Sequence, residues 1–398
     1  MFSSLKVKNF RIYWFGMLVS LVGTWIQAVA QSWLVFQLTN SAFLLGVVGF
    51  LSSIPVFVLS LFGGVLADRV NKKNILIFTQ IAFMLLAFIL AALTYFKLIN
   101  TWQIMFIAVL NGIVMAFDAP SRQSVVVDLV GKKHLSNAIA LNSVAFNSSR
   151  IIGPAIAGLL VASIGMSGCF FINGISFLAV IIALLLIKVD NTRIFKKNKK
   201  AWHDLMEGVA FIKGNRLILL LIMIVGVMSL FGVSYIILMP IFANTVLGVG
   251  VKGLGVLMSG VGFGALFGAL VLARLGDFRN KGRFLVWSIF IFSFSLILFS
   301  LSRNYILSII ILSLLGGSSV AAMALINTLL QTRVNDEFRG RVMSMFMLTF
   351  AGIMPFGNLI AGSLSQAIGV SSAVLVSGVA CAILFMTINF FYPDIRKI

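Results

Sequence analysis

The chain has 398 residues, 61% of them hydrophobic and only 10% charged, against about 45–50% and about 25% in an average soluble domain. Such a chain is short of polar surface, so its apolar excess must be buried in lipid, and a soluble globular protein is excluded. Thirty Lys and Arg against ten Asp and Glu leave a net charge of +20, which in a soluble protein would suggest a nucleic-acid partner.

Apolar runs long enough to span a bilayer, about 20 residues each, fall near 12–38, 42–67, 75–97, 101–121, 138–163, 166–188, 217–244, 253–273, 284–302, 305–331, 342–367 and 371–392. Twelve spans put both termini on one side. All but four of the 30 Lys and Arg then collect on that side, in the termini and in alternate loops; the opposite loops hold Lys97, Lys252 and Arg303, and Arg150 lies inside the fifth run. Cytoplasmic loops carry the excess of basic residues, so both termini are expected in the cytoplasm, and the charge belongs to an anionic membrane face rather than to nucleic acid. Lys6, Lys8 and Arg11 lead straight into the first apolar run, so no removable signal peptide is expected.

The one long polar break, 189–216, divides six spans from six: an expected amino-terminal bundle over 1–188, a cytoplasmic linker, and a carboxy-terminal bundle over 217–398. The linker reads as carrying a short amphipathic helix with Trp202, Leu205, Met206, Val209 and Phe211 near one face. The halves repeat. AGLLVASIG at 157–165 matches AGSLSQAIG at 361–369, with Gly153 falling on Gly357, an offset of 204; Asp68, Asn71 and Lys72 fall on Asp277, Asn280 and Lys281, an offset of 209. Two similar six-helix bundles related by an axis along the membrane normal are a transporter architecture.

Several segments resemble the major facilitator superfamily. GGVLADRVNKKN between the second and third runs is similar to the signature G-x-L-A-D-R-x-G-R-K, with Gly64, Asp68, Arg69 and Lys72 at matching places and Asn71 where a second Gly is usual. RIIGPAIAG is similar to the Gly-Pro signature of antiporter members through Gly153, Pro154 and Gly158. The segment from DAPSRQSVVVDLV to RIIGPAIAG resembles the branch of bacterial macrolide and siderophore exporters. This resemblance implies a secondary active exporter of small organic amphiphiles working by alternating access in a bacterial cytoplasmic membrane, as a monomer, without cofactor or metal. The family's usual Arg of the fourth span would fall at Ala108, and the first span has no carboxylate, so the best-known coupling arrangements do not carry over.

The residues themselves suggest roles. Gly64, Asp68, Arg69, Lys72 and Asp277 are candidates for a cytoplasmic latch, a carboxylate facing a helix start while cations pair with acids or lipid phosphate. Gly153, Gly158, Gly260, Gly264 and Gly268 are small enough for close backbone approach at an outer gate, as is Gly63 beside Gly64 in the second run. Pro154 should interrupt the fifth span by freeing the Arg150 carbonyl. Arg150 is expensive at mid-span without a partner. Asp118, the acid nearest the interior, is the expected partner, with Arg122 one turn away competing for it; Asp118 is the candidate proton-exchanging group. Trp25, Gln27, Gln31 and Trp33 on the first span, Ser143 and Asn147 with Arg150 on the fifth, and Asn111, Tyr235, Asn327 and Asn358 are candidate cavity residues. A fixed cation among amides and aromatics suits neutral or anionic solutes better than cationic drugs. An importer, a uniporter or a lysolipid flippase of the same fold stays open. A sensor or embedded enzyme is disfavoured: His134 and His203 are isolated loop residues, Cys169 and Cys381 are separate, and no phosphate-binding loop occurs.

Overall fold

The computed structural model describes residues 3–187, 201–276 and 278–397, and every regular element among them is helical. The helices are α1 (Lys8–Thr39), α2 (Ala42–Arg69), α3 (Lys72–Tyr95) and α4 (Thr101–Gly131). A stretch from Lys133 to Leu186 follows. Straight, its 54 residues would reach about 80 Å at ~1.5 Å per residue, far beyond the ~30 Å of bilayer hydrocarbon. It is broken at Gly165, φ 74° and ψ 178°, a conformation essentially confined to glycine. The two pieces are α5 (133–164) and α6 (166–186).

Next come α7 (Ala201–Gly214) in the linker, α8 (216–246), α9 (Gly250–Leu275), α10 (Lys281–Leu301), α11 (Tyr305–Arg333), α12 (Asp336–Ile368) and α13 (Val370–Phe391). Eleven described stretches are long and apolar enough to cross a membrane; with the Lys133–Leu186 stretch counted as two, they correspond to the twelve apolar runs. Side chains exposed along them are those that suit lipid: Phe62, Phe78, Phe106, Phe267 and Phe390 are all more than 60% exposed.

Gly369, between α12 and α13, has φ 86°. It sits 204 residues after Gly165, so the repeat ends both times on a left-handed glycine that turns the chain with no intervening loop. Helix α8 departs from regular geometry: wide π turns at Met228–Gly232 and Phe242–Val246 flank a segment containing Pro240, as expected where the i→i−4 ladder is interrupted.

The chain forms two compact units. The first comprises 1–40, 51–196 and 250–259; the second comprises 41–50, 197–249 and 260–398. The amino-terminal turns of α2 thus pack with second-half helices, and those of α9 with first-half helices. In the first unit a buried cluster of Phe10, Tyr13, Met17, Leu76, Val125, Leu129, Leu141, Val180 and Leu184 ties α1, α3, α4, α5 and α6 together. In the second unit the linker helix is pinned to α12: the Phe211 and Phe338 rings stack at 4.4 Å, Glu207 pairs with Arg341 at 2.7 Å, and the Arg341 guanidinium lies over the Phe338 ring. Of the expected amphipathic face, residues 201–205 fall where side chains are not described, and residues 188–200 lie outside the described residues.

Candidate functional site

The first unit encloses one complete polar cluster. Asp118, one turn above Arg122 on α4, is fully buried. Its Oδ2 accepts from Arg122 Nη2 and, at 2.9 Å, from Arg122 Nε; its Oδ1 accepts from Thr79 Oγ1 and Gln80 Nε2 of α3, both at 2.8 Å. Four donors on one carboxylate are what burial of a charge requires. Tyr13 of α1 is 1% exposed and packs in the same buried cluster as Leu76 of α3 and Val125 of α4. Two polar atoms of this cluster, the Tyr13 hydroxyl and Gln80 Oε1, are buried without a hydrogen-bond partner.

This arrangement corrects the expected Asp118–Arg150 pair. Arg122 lies on the same helix face at i,i+4 and reaches the carboxylate with two nitrogens, so no oxygen is left for a residue on α5. Arg150 is half-buried and makes no ion pair or hydrogen bond among the described residues. Below it on the same face, Ser143 is exposed and Asn147 half-buried, with Asn147 Nδ2 donating to the Ser143 carbonyl at 2.8 Å. The stripe on α5 therefore survives with a free guanidinium at its upper end.

The remaining cavity candidates divide. Gln31 and Asn111 are half-buried and have no hydrogen-bond partner among the described residues. Trp25 is half-buried, edge-on to Phe146 at 6.0 Å. Gln27 accepts from Asn173 Nδ2 of α6 at 2.7 Å, and Asn327 accepts from Gln331 on its own helix. Trp33, Tyr235 and Asn358 are at most 6% exposed and belong to helix packing: Trp33 edge-on to Phe36, Tyr235 edge-on to Phe299, Asn358 against the α2 tip at Gly49.

At the amino-terminal ends of α2 and α9, small residues line close helix contacts, with partners other than those expected. A Cβ at Gly158 of α5 would meet Val251 and Lys252 of α9, and one at Gly255 would meet the Pro154 carbonyl and Gly158. In the second unit a Cβ at Gly362 of α12 would meet Ala42 and Gly46 of α2, and one at Gly46 would meet the Asn358 carbonyl and Gly362. The contacts are equivalent: Gly158 and Gly362, like Pro154 and Asn358, are 204 apart, and Gly46 and Gly255 are 209 apart, the two offsets of the sequence repeat. Gly260, Gly264 and Gly268, grouped with Gly153 and Gly158 as candidates for an outer gate, instead lie against Ile309, Ser313 and Gly317 of α11, and Gly153 lies against Val22 and Trp25 of α1. An approach between antiparallel helices needs small residues on one face only; α9 turns Gly255 toward α5 and the lower glycines toward α11. Helix α5 also runs unbroken through Pro154. Ser259 Oγ donates to the Ile151 carbonyl at 2.7 Å, supplying a partner in the turn the proline loosens.

At the loop between α2 and α3, Lys72 pairs with Asp128 of α4 at 2.7 Å, and Lys73 Nζ donates to the Ile187 carbonyl at 2.8 Å, capping α6. Arg69 is exposed. Gly64 has nothing within 4 Å of where a Cβ would stand, whereas Gly63 abuts the Ala116 carbonyl, so Gly63 is the close-packing glycine. The Asp68 side chain and all of Asp277 lie outside what is described.

Thr79 and Gln80 were visible as an isolated polar pair inside the third apolar run, and Asp128 as an acid on a basic face. Gly255 was hidden among the six glycines of its own run. The family described as transmembrane secretion effector matches residues 1–397. This chain belongs to that family of major facilitator transporters. It is 27% identical over 374 residues to the staphyloferrin A transporter of Staphylococcus aureus, covering 93% of this chain and 92% of that one. It is 24% identical over 410 residues to macrolide efflux protein A of Streptococcus pyogenes, covering 100% and 98%. Among solved structures, a bacterial homologue of the human lysosomal transporter Spinster superposes with a TM-score of 0.75 at 15% identity, over 97% of this chain and 98% of that one. The chain is therefore a membrane transporter of small molecules with the major facilitator fold, not an enzyme.

Proposed function

We propose that the chain exports a neutral or acidic organic amphiphile by proton antiport and alternating access from the cytoplasm of a bacterium, with Asp118 as the proton-exchanging group. The observation that carries this reading is the enclosed carboxylate with two unpartnered polar atoms beside it. As an anion Asp118 holds Arg122, Thr79 and Gln80. Once protonated it has a hydrogen to donate and no charge to hold Arg122, and Gln80 needs only to turn its amide to offer the orphaned Oε1. Proton arrival would thus exchange one bonded state for another, with the Gln80 amide nitrogen replacing its oxygen as the atom left without a partner, and loosen α3 and α4. Arg150, unpaired beside Asn147 and Ser143, supplies a fixed positive charge for an anionic solute, and the likeness to a staphyloferrin A transporter and a macrolide efflux protein supports an organic solute.

The test uses proteoliposomes with an imposed pH gradient and a panel of siderophores, macrolides and lysolipids, for wild type and Asp118→Asn. The expected result is substrate-dependent proton movement that the variant loses while it still binds substrate. Uphill transport unchanged in the variant would overturn the assignment.

A further inference from the structure

The second unit contains a basic concavity that the transport reading does not use. Helix α9 ends at Leu275 and α10 begins at Lys281, with Asn280 in the left-handed region at φ 74°. This loop carries Arg279, and the first turn of α10 carries Arg283, to the end of the bundle. From the other side, the chain leaves α13, and a single 3-10 turn at Pro393–Lys397, anchored by buried Ile395, carries Arg396 to the same place. A cavity of about 560 Å³ is lined by Arg279, Asn280, Arg283 and Arg396. A second of about 220 Å³ shares Arg283 and Arg396 and is otherwise lined by Val286, Trp287, Phe385 and Asn389.

Three guanidiniums therefore converge with no ion pair among the described residues. Converging like charges raise the energy of the empty site, and each guanidinium presents a fork of donors that fits phosphate oxygens. Charge gives way to apolar lining in one direction only. Trp287 stands one turn beyond Arg283 on α10 and is 55% exposed, and Phe385 packs on Phe290 at 5.1 Å. A polar, cationic rim continuing into an aromatic cleft at a helix end is the profile of the headgroup-to-acyl boundary.

We propose that this double cavity binds an anionic glycerophospholipid, its phosphate on Arg279, Arg283 and Arg396 and its glycerol and upper acyl chain in the cleft of Trp287 and Phe385. The lipid bridges α10 to the carboxy-terminal turn. The proposal rests on the membrane-spanning fold and is independent of proton coupling at Asp118.

The purified full chain is placed in nanodiscs of phosphatidylcholine with increasing phosphatidylglycerol, and retained lipid is counted by native mass spectrometry after transfer to detergent. Wild type is expected to keep phosphatidylglycerol selectively. Arg283→Gln/Arg396→Gln is expected to lose that selectivity by about tenfold or more, since each surface cation contributes about 1 kcal/mol toward anionic lipid. Arg274→Gln/Arg333→Gln, which removes two exposed cations from the same membrane face, is expected to keep it. Trp287→Ala should weaken retention of the lipid while leaving any effect of inorganic phosphate unchanged. Equal losses in both double variants would reduce the site to general surface charge and overturn the proposal. Displacement of the lipid by millimolar inorganic phosphate alone would also overturn it, in favour of a soluble phosphate ligand. Circular dichroism of each variant separates loss of binding from loss of fold.

Discussion

Asp118 and Arg122 occupy one face of one helix, so their pairing costs no tertiary rearrangement, and the interest lies in what α3 adds. Removing one member of a buried pair leaves an uncompensated charge, at about 3–5 kcal/mol. Arg122→Gln is therefore expected to lower the thermal unfolding midpoint sharply, and Asp118→Asn/Arg122→Gln to recover most of the loss. Additive losses in the double variant would show that the pair is not the stabilising contact. At this scale the sequence was half legible. It showed that Asp118 and Arg150 were ionisable groups inside lipid, and that Arg122 was within reach, but rotamer choice decided between two arginines. Hydrogen-bond donors from a neighbouring helix, such as Thr79 and Gln80, depend on helix rotation, which a polar pair within an apolar run does not specify.

Among the elements, the glycines separate by what surrounds them. Gly165 and Gly369 hold backbone conformations that an L side chain adopts at a cost of about 1–3 kcal/mol, so Gly165→Ala and Gly369→Ala should each depress the unfolding midpoint. Gly64 has a helical backbone and open space beside it, so Gly64→Ala should be neutral or stabilise by up to about 1 kcal/mol; a large loss would show a contact made in another state of the transporter. Gly46 and Gly255 meet backbone on the facing helix, leaving no side chain that could move aside. Gly255→Val and Gly46→Val should spread the outer ends of α5/α9 and α2/α12 respectively, read as faster labelling of a cysteine at position 259 or 41 by an impermeant maleimide. Unchanged labelling would place the gate elsewhere. The repeat offsets of 204 and 209 were readable in advance, and they relate these contacts correctly. Which glycine of the GxGxxxG-like series on α9 faces α5 was not, because every one of them is small and only the helix's rotation chooses.

For the whole molecule, hydropathy and loop charge were the strongest signals in the chain, and the helices fall where the apolar runs lie. The main departures are lengths: α4 runs ten residues past its apolar core to Gly131, and α5 begins at 133 rather than 138, because helices continue into the interface beyond the residues that need lipid. Orientation is tested by single cysteines in a background where Cys169 and Cys381, both 0% exposed, contribute little labelling. Lys97→Cys and Arg303→Cys should react with an impermeant reagent added outside intact cells, and Arg279→Cys only after permeabilisation. The reverse pattern would invert the orientation and move the phospholipid site to the opposite leaflet.

The loopless turns at Gly165 and Gly369 also bear on how the chain is made. Between α5 and α6, and between α12 and α13, no charged residue and almost no backbone outside a helix has to be carried across the bilayer. Each pair can leave the ribosome, meet as a helical hairpin and enter the membrane in one movement, with both ends held at the side of synthesis. Biogenesis would then proceed by paired insertion at these two places and at the equally short, uncharged link between α1 and α2, and the last step of each half would need little work from the insertion machinery.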